Sequence, residues 1–364
     1  MSYRLLSCVW ELTLKCNLAC THCGSSAGSK RESELSLEEC LSIAEGLINL
    51  KCRSVTLLGG EIFYYKGWEE IARKLTDGGV LVNFVTNGFS LSSEDIENIR
   101  YSKINNVAVS VDGTKEVHNS IRNNKRSFER LTKTISRLTE ENIPVSVIST
   151  ITNKGLPDLE NLYQYLVNCR VTDWQIQLVH PMGNATGHKN EVLISPGSIL
   201  FLTEFIRKKR LEQNIRIYAG DNIGYYDENE MYLRNEPGKF CIWDGCKAGI
   251  SVIGIDSDGD VKGCQSLYSK KFVEGNLRNE SLESIWNKPE NFSYNRKFKT
   301  EYLNGNCKAC DKGLICKGGC RASNYFINGD LFNNYYCNHN KKILAFPQKQ
   351  ENLIEGLVCS SHIN

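Results

Sequence analysis

Strand-like apolar runs and helix-like stretches alternate six times between Leu5 and about Arg210. Strands that are separated by helices of about 10–15 residues pair in parallel through right-handed crossovers. Six such units are too few for a standard eight-stranded barrel, so the sequence predicts an α/β fold with a partial (β/α)6 barrel of the TIM type over residues 1–215. The strand-like runs cover residues 5–13, 55–58, 80–86, 107–111, 145–151 and 174–179.

Local capping signals place the starts of three helices. Ser36 is followed by Glu39 and Ser92 by Asp95, which are the spacings of N-terminal capping boxes. Pro196 follows Ser195, and proline suits the first helical position because its missing N–H is not needed there. These signals predict helices from about 37, 93 and 196.

Chemically distinctive residues follow the strand-like runs. Three cysteines come after the first strand, Gly59-Gly60-Glu61 after the second, Asn87-Gly88 after the third, and Ser110-Val-Asp-Gly at the end of the fourth. In barrels of parallel strands the chemistry lies at the carboxyl ends of the strands. The alternation alone therefore predicts that these segments share one site.

Cysteine is the unusual component of the composition. The chain has 16 cysteines, and its first residues, MSYRLLSCVWELTLKC, do not resemble a signal peptide. Thiols stay reduced in the cytoplasm, so grouped cysteines indicate metal binding rather than disulfides, and the protein is expected to be cytoplasmic. A net charge of +2 and the lack of an 18-residue apolar run predict no nucleic-acid partner and no membrane association.

The stretch TLKCNLACTHCG places Cys16, Cys20 and Cys23 on one loop. One alternative is a zinc site that His22 completes, since structural zinc takes four ligands. The other is an iron–sulfur cluster that three thiolates hold, which leaves one iron free for another molecule.

The CX3CX2C spacing after a first strand resembles the signature of radical S-adenosylmethionine (radical SAM) enzymes. The later segments GGE, TNG and VSVDGTKEVHNSIR resemble that family in the same order, although Ile62 stands where many members have proline. The resemblance implies a [4Fe–4S] cluster on the three cysteines and reductive cleavage of S-adenosyl-L-methionine to a 5′-deoxyadenosyl radical. It also implies contacts to that cofactor from a further set of residues: Gly59, Gly60, Glu61, Asn87, Ser110 and Arg122.

A second cysteine pattern runs from Cys246 to Cys337. A glycine and Cys264 follow Cys246, then come CX2CX5CX3C and a last cysteine. This pattern resembles the SPASM domain of peptide-modifying radical SAM enzymes, and it predicts a loop-rich domain over residues 241–345 with a β-hairpin turn at Asp256-Ser-Asp-Gly-Asp. Paired zinc ribbons are the alternative.

The SPASM resemblance implies two auxiliary [4Fe–4S] clusters, which brings the total to three. Auxiliary cluster I would take Cys241, Cys246, Cys264 and Cys320, and Cys241 is the member that the seven-cysteine pattern does not include. Without it, one iron of that cluster would be open to substrate. Auxiliary cluster II would take Cys307, Cys310, Cys316 and Cys337.

The resemblance also implies a substrate class. The expected function is hydrogen abstraction from a residue of a ribosomally synthesised precursor peptide, with an intrapeptide crosslink as the favoured outcome. The alternatives are peptide epimerisation or another peptide change, sulfatase (formylglycine) maturation, and a haem or other small-molecule reaction. Gln265 stands where sulfatase maturases carry an aspartate. Expected partners are the precursor peptide, a separate leader-peptide-binding protein, and a flavodoxin or ferredoxin-type electron donor.

The polar segment at residues 216–240 bridges the two halves, and residues 346–364 form a tail. An oxidative crosslink needs a base, because the radical-bearing centre loses a proton as well as an electron. Asp221 and Tyr225 are the candidates in the bridge for a base or a wall of the pocket.

Overall fold

The computed structural model describes residues 3–235 and 239–345. Within these two ranges, ten strands form one sheet. Their bounds are β1 (Ser7–Glu11), β2 (Ser54–Leu58), β3 (Leu81–Thr86), β4 (Asn106–Ser110), β5 (Val145–Ile151), β6 (Asp173–Leu178), β7 (Arg216–Ala219), β8 (Val252–Ile255), β9 (Asp260–Lys262) and β10 (Val273–Asn276).

The strand order explains how the two halves of the chain join. The sheet runs β10-β9-β8-β1-β2-β3-β4-β5-β6-β7, and β1 to β7 are parallel neighbours. β8 pairs in parallel with β1, with Ser7 opposite Val252, while β9 and β10 continue antiparallel. The SPASM-like hairpin therefore extends the barrel sheet at its first strand.

Helices cover the outer face of the sheet and fill the connections. Their bounds are α1 (Leu37–Asn49), α2 (Trp68–Asp77), α3 (Ser93–Ser102), α4 (Lys115–Ile121), α5 (Ser127–Glu140), α6 (Leu159–Asn168), α7 (Lys189–Val192), α8 (Ser198–Glu212), α9 (Glu230–Arg234), α10 (Leu282–Asn287), α11 (Ser293–Arg296), α12 (Gly313–Cys316), α13 (Arg321–Asn328) and α14 (Asn338–Ala345). Within the described ranges, no helix combines the length and the apolar character needed to cross a bilayer.

The two faces of the strands differ in chemistry. Apolar residues such as Val82, Phe84 and Ile176 are fully buried beneath the helices. The alternate positions face the hollow of the curved sheet and are largely polar and only half-buried, as at Asn83 and Gln175. Because side chains alternate along a strand, one sequence builds both a dry core and a wet interior.

The predicted fold class is confirmed, as are the six βα units. Both capping boxes form, with Ser36 accepting from the Glu39 N–H and Ser92 from the Asp95 N–H. The predicted hairpin is β8–β9, turned at Asp256 to Asp260. The sixth helix begins at Ser198, two residues after Pro196, and the predicted tail at 346–364 lies outside the described residues. The elements without a counterpart among the predicted ones are α4, α7, α9, α11, α12, α13, α14, β7 and β10.

Candidate functional site

The cysteine loop after β1 is anchored by its backbone. The N–H of Cys16 donates to the Gly28 carbonyl over 2.9 Å. Asn184, in the connection after β6, donates through its side chain to the Cys20 carbonyl (3.1 Å) and through its N–H to the Cys23 carbonyl (2.9 Å). The segment after β1 and the connection after β6 therefore both fix the loop that carries the three thiols.

The two glycines after β2 make a close approach to the same loop. A Cβ on Gly60 would stand 2.5 Å from the carbonyl oxygens of Leu14 and Lys15, and one on Gly59 would stand 2.7 Å from that of Thr13. The Gly60 N–H donates to Thr13 (2.7 Å) and the Glu61 N–H to Lys15 (2.8 Å). Only glycine permits this contact, so the GGE segment supports the cysteine loop besides facing the cavity.

The spread of the thiols distinguishes a cluster from a zinc ion. Thiolates on one tetrahedral zinc lie about 3.8 Å apart, because each Zn–S bond is about 2.3 Å. Among the described residues, three or more Cys, His, Asp or Glu ligand atoms lie within 4.8 Å of one another only in the groups Cys310–Asp311–His339 and Asp256–Asp258–Asp260. Cys16, Cys20 and Cys23 do not converge in this way, and His22 Nε2 instead lies 3.3 Å from Asp112. These residues fit a wider iron–sulfur cluster better than one zinc ion.

A buried ionic network lies beneath Cys20. Arg122 Nε donates to Asp112 over 2.6 Å, and its Nη1 lies 3.9 Å from the Cys20 sulfur. Burial opposes ionisation of Asp112, but Arg122 and His22 outweigh it and hold the pKa of this carboxyl well below its usual range. Burial also raises the pKa of Cys20 to about 11, and the Arg122 charge opposes that rise. Arg122 can therefore favour the thiolate that a metal ligand must be.

The network reveals a residue that the sequence interpretation did not single out. Asp112, which the sequence presents only as part of the segment after β4, joins Arg122 to His22 and also accepts from the Thr150 N–H at 3.1 Å. A carboxylate directly after a strand, ten residues before an arginine, was the available signal.

Glu61 lies just below the cavity surface. It accepts hydrogen bonds from the Thr86 hydroxyl (2.7 Å) and the Asn87 N–H (2.8 Å). Burial raises the pKa of Glu61 to about 7, although both hydrogen bonds oppose the rise. The Asn87 amide in turn donates to Asn17 over 2.8 Å and lies 3.7 Å from the Cys16 sulfur.

A cavity of about 640 Å³ opens over the cysteine loop at the carboxyl ends of the strands. The predicted cofactor-contact residues that line it are Gly59, Gly60, Asn87, Ser110 and Arg122. Cys246, Cys264, Cys320 and Asp221 line the same cavity. The sites predicted for the radical SAM cluster and for auxiliary cluster I therefore share one cavity, and the exposed Asp221 lies beside the latter.

His180, just after β6, is a second residue that the sequence did not reveal. The Asn222 amide is fixed by the Leu178 backbone, to which its Nδ2 donates over 2.9 Å, and the same Nδ2 lies 3.1 Å from His180 Nε2. Ser323 Oγ lies 2.8 Å from the same nitrogen. Burial lowers the pKa of His180 to about 4, so the ring is neutral and Nε2 accepts. The proton is then on Nδ1, and the His180 side chain lines the cavity.

Two residues that the sequence predicts for the site are not among the described residues that line this cavity. Tyr225 is fully buried, its ring packs 5.1 Å from that of Trp243, and its hydroxyl donates to the Asp221 carbonyl. Cys241 is half-buried, and its N–H donates to Asn235 over 2.6 Å. The structure thus brings Asp221, but not Tyr225 or Cys241, to the cavity wall.

The four cysteines predicted for auxiliary cluster II surround a separate small space. Cys307, Cys310, Cys316 and Cys337 all line it, together with His339. His339 Nε2 lies 2.7 Å from Asp311, the residue after Cys310. The ligand set predicted for auxiliary cluster II is therefore compatible with the arrangement of the side chains, although Cys320, of the other set, lies between Cys316 and Cys337 in the sequence.

The hollow of the sheet forms a second cavity of about 1010 Å³, contiguous with the first. Its lining is rich in amides and hydroxyls, which partly bond to each other, as Asn106 does to Ser146 (2.6 Å) and Gln177 to Thr150 (3.1 Å). The amide and hydroxyl residues that contribute include Thr56, Asn83, Asn105, Asn106, Ser146, Thr150, Gln175 and Gln177.

Comparisons with known proteins agree with this layout. Residues 10–166 match the model of the radical SAM superfamily, and residues 246–311 match that of the SPASM iron–sulfur cluster-binding domain. An AdoMet-dependent heme synthase of Methanosarcina barkeri is 28% identical over 340 residues, which are 90% of this chain and 95% of that protein. Mycofactocin maturase MftC of Mycolicibacterium smegmatis is 27% identical over 319 residues, which are 87% and 78% of the two chains.

Solved structures share the fold. Streptococcus suis SuiB bound to its precursor peptide SuiA superposes with a TM-score of 0.74 at 17% sequence identity, over 92% of this chain and 75% of that one. At this identity the likeness shows a common architecture.

Proposed function

Because this chain belongs to the radical SAM superfamily and carries a SPASM domain, it is a radical SAM enzyme that uses S-adenosylmethionine and iron–sulfur clusters, and we propose that it modifies a ribosomally made precursor peptide, forming an intrapeptide crosslink. When bound, cluster and cofactor supply a carbon radical that takes a hydrogen atom from the substrate. Cys16, Cys20 and Cys23 would hold the cluster, and the cavity residues from Gly59 to Arg122 named above would hold the cofactor.

The amide-rich hollow of the sheet is the observation that carries the peptide proposal. A peptide backbone presents N–H and C=O groups, which need both donors and acceptors when they leave water. Asn83, Gln175 and Gln177 offer both in this hollow, and the two glutamines also line the cavity over the cysteine loop. The neutral His180 adds an N–H donor near the reacting end. This lining suits an extended peptide.

The cations at the cavity argue against a haem-type substrate, despite the similarity to heme synthases. A haem or its precursor carries carboxylates, which arginine or lysine would best bind. In the described part of the lining, each of these cations already has a carboxylate partner. The pairs are Arg122 with Asp112 (2.6 Å), Lys247 with Asp244 (2.5 Å) and Arg216 with Asp173 (2.8 Å).

Asp221 is the proposed base. Its carboxylate lines the cavity near Cys264 and Cys320, where it could accept the proton that a crosslinking carbon loses, while the cluster that these cysteines would hold would take the electron. Gln265, which stands where sulfatase maturases carry an aspartate, offers no acid for sulfatase chemistry and donates to Asp256 over 2.9 Å. Tyr225 would act on the site only by holding the Asp221 backbone.

Cofactor affinity should depend on pH through Glu61. Its carboxyl is neutral below about pH 7 and charged above it, and the charged form attracts the α-ammonium group of S-adenosylmethionine. We expect the dissociation constant to fall about fivefold to tenfold between about pH 6 and about pH 7.5, while the ammonium stays mostly protonated. Equilibrium dialysis of S-adenosylmethionine against the reconstituted, oxidised enzyme measures this dissociation constant at each pH. Glu61→Gln should bind more weakly with a flat profile, and a wild-type profile in this variant would contradict the assignment.

Co-expression tests the proposed reaction. A short peptide that a neighbouring reading frame encodes would be co-expressed with the enzyme and analysed by mass spectrometry. Loss of two hydrogens, with fragmentation blocked between the joined residues, is expected for a crosslink. Unchanged mass with deuterium uptake would indicate epimerisation instead. If no peptide changes and a haem precursor stimulates 5′-deoxyadenosine release, the peptide proposal is wrong.

The partners beyond the peptide belong to the same proposal. A flavodoxin or ferredoxin-type donor would supply electrons, and a separate leader-binding protein would present the peptide. Each candidate can be tested by co-expressing it with the enzyme and the peptide, or by adding it to the purified enzyme during turnover, and measuring peptide modification.

A further inference from the structure

Arg321 is the most buried cation in the described chain and lies next to Cys320. Its side chain is completely shielded from solvent, and its guanidinium carbon lies 4.3 Å from the centre of the Phe332 ring. Nη1 donates to backbone carbonyls, including those of Lys317 (2.6 Å) and Gly319 (3.3 Å). These residues form the short connection from Cys316 to Cys320, so the guanidinium is locked onto the segment that joins a predicted ligand of each auxiliary cluster.

The other two guanidinium nitrogens lack partners. Nε and Nη2 are buried and make no hydrogen bond within the described chain. No carboxylate among the described residues forms an ion pair with this guanidinium. A buried arginine without a counter-charge is costly, because burial penalises the charge and leaves donors unsatisfied. Its compensation must therefore come from groups that bind beside it.

The surrounding thiols indicate what those groups are. Arg321 directly follows Cys320, and its Nη1 donates to the carbonyl of Lys317, the residue after Cys316. Cys246 and Cys320 line the cavity assigned to auxiliary cluster I, whereas Cys307 and Cys316 line that assigned to auxiliary cluster II. The cation thus stands between both ligand sets.

We propose that Arg321 is a fixed counter-charge shared by the two auxiliary clusters, with Nε–H and Nη2–H donating to their sulfur atoms. Reduction adds one negative charge to a cluster, so a nearby cation and N–H···S hydrogen bonds stabilise the reduced form and raise its potential. This inference rests on the proposed ligand sets and is independent of the substrate.

Redox titration of the anaerobically reconstituted full-length enzyme, followed by electron paramagnetic resonance without any peptide, tests this role. Arg321→Met should lower the potentials of the auxiliary clusters, with at least a tenfold lower reduced-to-oxidised ratio at a fixed potential, which is about 59 mV for one electron. Arg321→Lys keeps the charge but loses the forked set of N–H donors. It should lower the auxiliary-cluster potentials by less than Arg321→Met does. The radical SAM cluster serves as the internal reference and should keep its potential.

Arg296 offers a matched control. It also packs on aromatic rings and has an unpartnered Nη2, but no cysteine is among the charged groups that act on it. Arg296→Met should therefore leave all potentials unchanged. The proposal would be overturned if Arg296→Met shifted the auxiliary-cluster potentials as much as Arg321→Met does. It would also be overturned if Arg321→Lys and an iron-replete Arg321→Met both kept the wild-type potentials. If Arg321→Met does not take up iron, the potentials of Arg321→Lys alone test the proposal, and wild-type potentials in that variant would overturn it.

Discussion

Replacement of Cys16, Cys20 and Cys23 together by alanine is expected to abolish cleavage of S-adenosylmethionine and to remove about four of about twelve iron atoms per chain. The total follows from three four-iron clusters. The three thiols belong to a loop that the Gly28 and Asn184 contacts hold independently of any metal, so the variant should fold and keep its auxiliary clusters. The measurements are iron content and 5′-deoxyadenosine release after anaerobic reconstitution and dithionite reduction.

Other cysteines provide the control for this experiment. Cys52 is buried and its thiol donates to the Ser54 carbonyl, while Cys169 is half-buried at the end of α6. Their double replacement by alanine should leave iron content and cofactor cleavage unchanged. Zinc in place of iron in the wild-type protein, or loss of all iron from the triple variant, would contradict the assignment of one cluster to the loop.

Asp112→Asn is expected to cost about 3–5 kcal/mol in the free energy of unfolding. The substitution keeps the shape of the side chain but leaves the buried Arg122 without its counter-charge, and breaking a buried ion pair costs that much. Urea unfolding of the anaerobic holoenzyme measures the loss. Asp173→Asn is the matched control, because its pair with the exposed Arg216 should contribute less than about 1 kcal/mol.

The pH dependence of the Asp112 effect has a definite sign. Its pKa is depressed in the folded protein, so its stabilisation is complete above the pKa of the unfolded chain, about 3.9, and is lost only as the pH falls further through the folded value. The difference between wild type and Asp112→Asn should therefore stay constant between about pH 8 and about pH 5. A difference that vanishes near neutral pH would show that the carboxylate is not ionised there.

Local sequence signals were sufficient for the barrel. The capping residues Ser36 and Ser92 lie one residue before their helices, and the alternation of strands and helices gives the parallel order because crossover handedness leaves few alternatives. The cysteine spacings were also informative, since ligands of one cluster must lie close in sequence or on facing loops. The three-thiol loop and the cavity over it are where the sequence predicts them.

Residues whose role depends on distant partners could not be predicted. Asp112 is important because Arg122 and His22 fold onto it, and His180 because Asn222 fixes its tautomer. Nothing near Arg321 in the sequence indicates that its guanidinium is buried without a carboxylate. Tyr225 illustrates the converse, because a polar bridge segment gave no sign that this ring packs against Trp243. Such contacts are set by tertiary packing, which periodicity does not encode.

The pairing of β1 with β8 has a consequence for how the chain is made. β1 lies between β2 and β8, so one of its two hydrogen-bonding neighbours is encoded near the amino end and the other only from Val252 onward. At about 5–20 residues per second, a nascent chain would carry β1 with one bare edge for on the order of ten seconds or more.

A bare edge on a buried strand is a template for pairing with other chains. The loop that follows β1 carries three reduced thiols, so the same interval exposes them before the hairpin covers that side of the sheet. Efficient production of this enzyme should therefore depend on a low level of expression, which keeps nascent chains dilute, and on low oxygen. It should also depend on keeping both halves in one polypeptide, because a barrel that is expressed alone would retain the edge permanently.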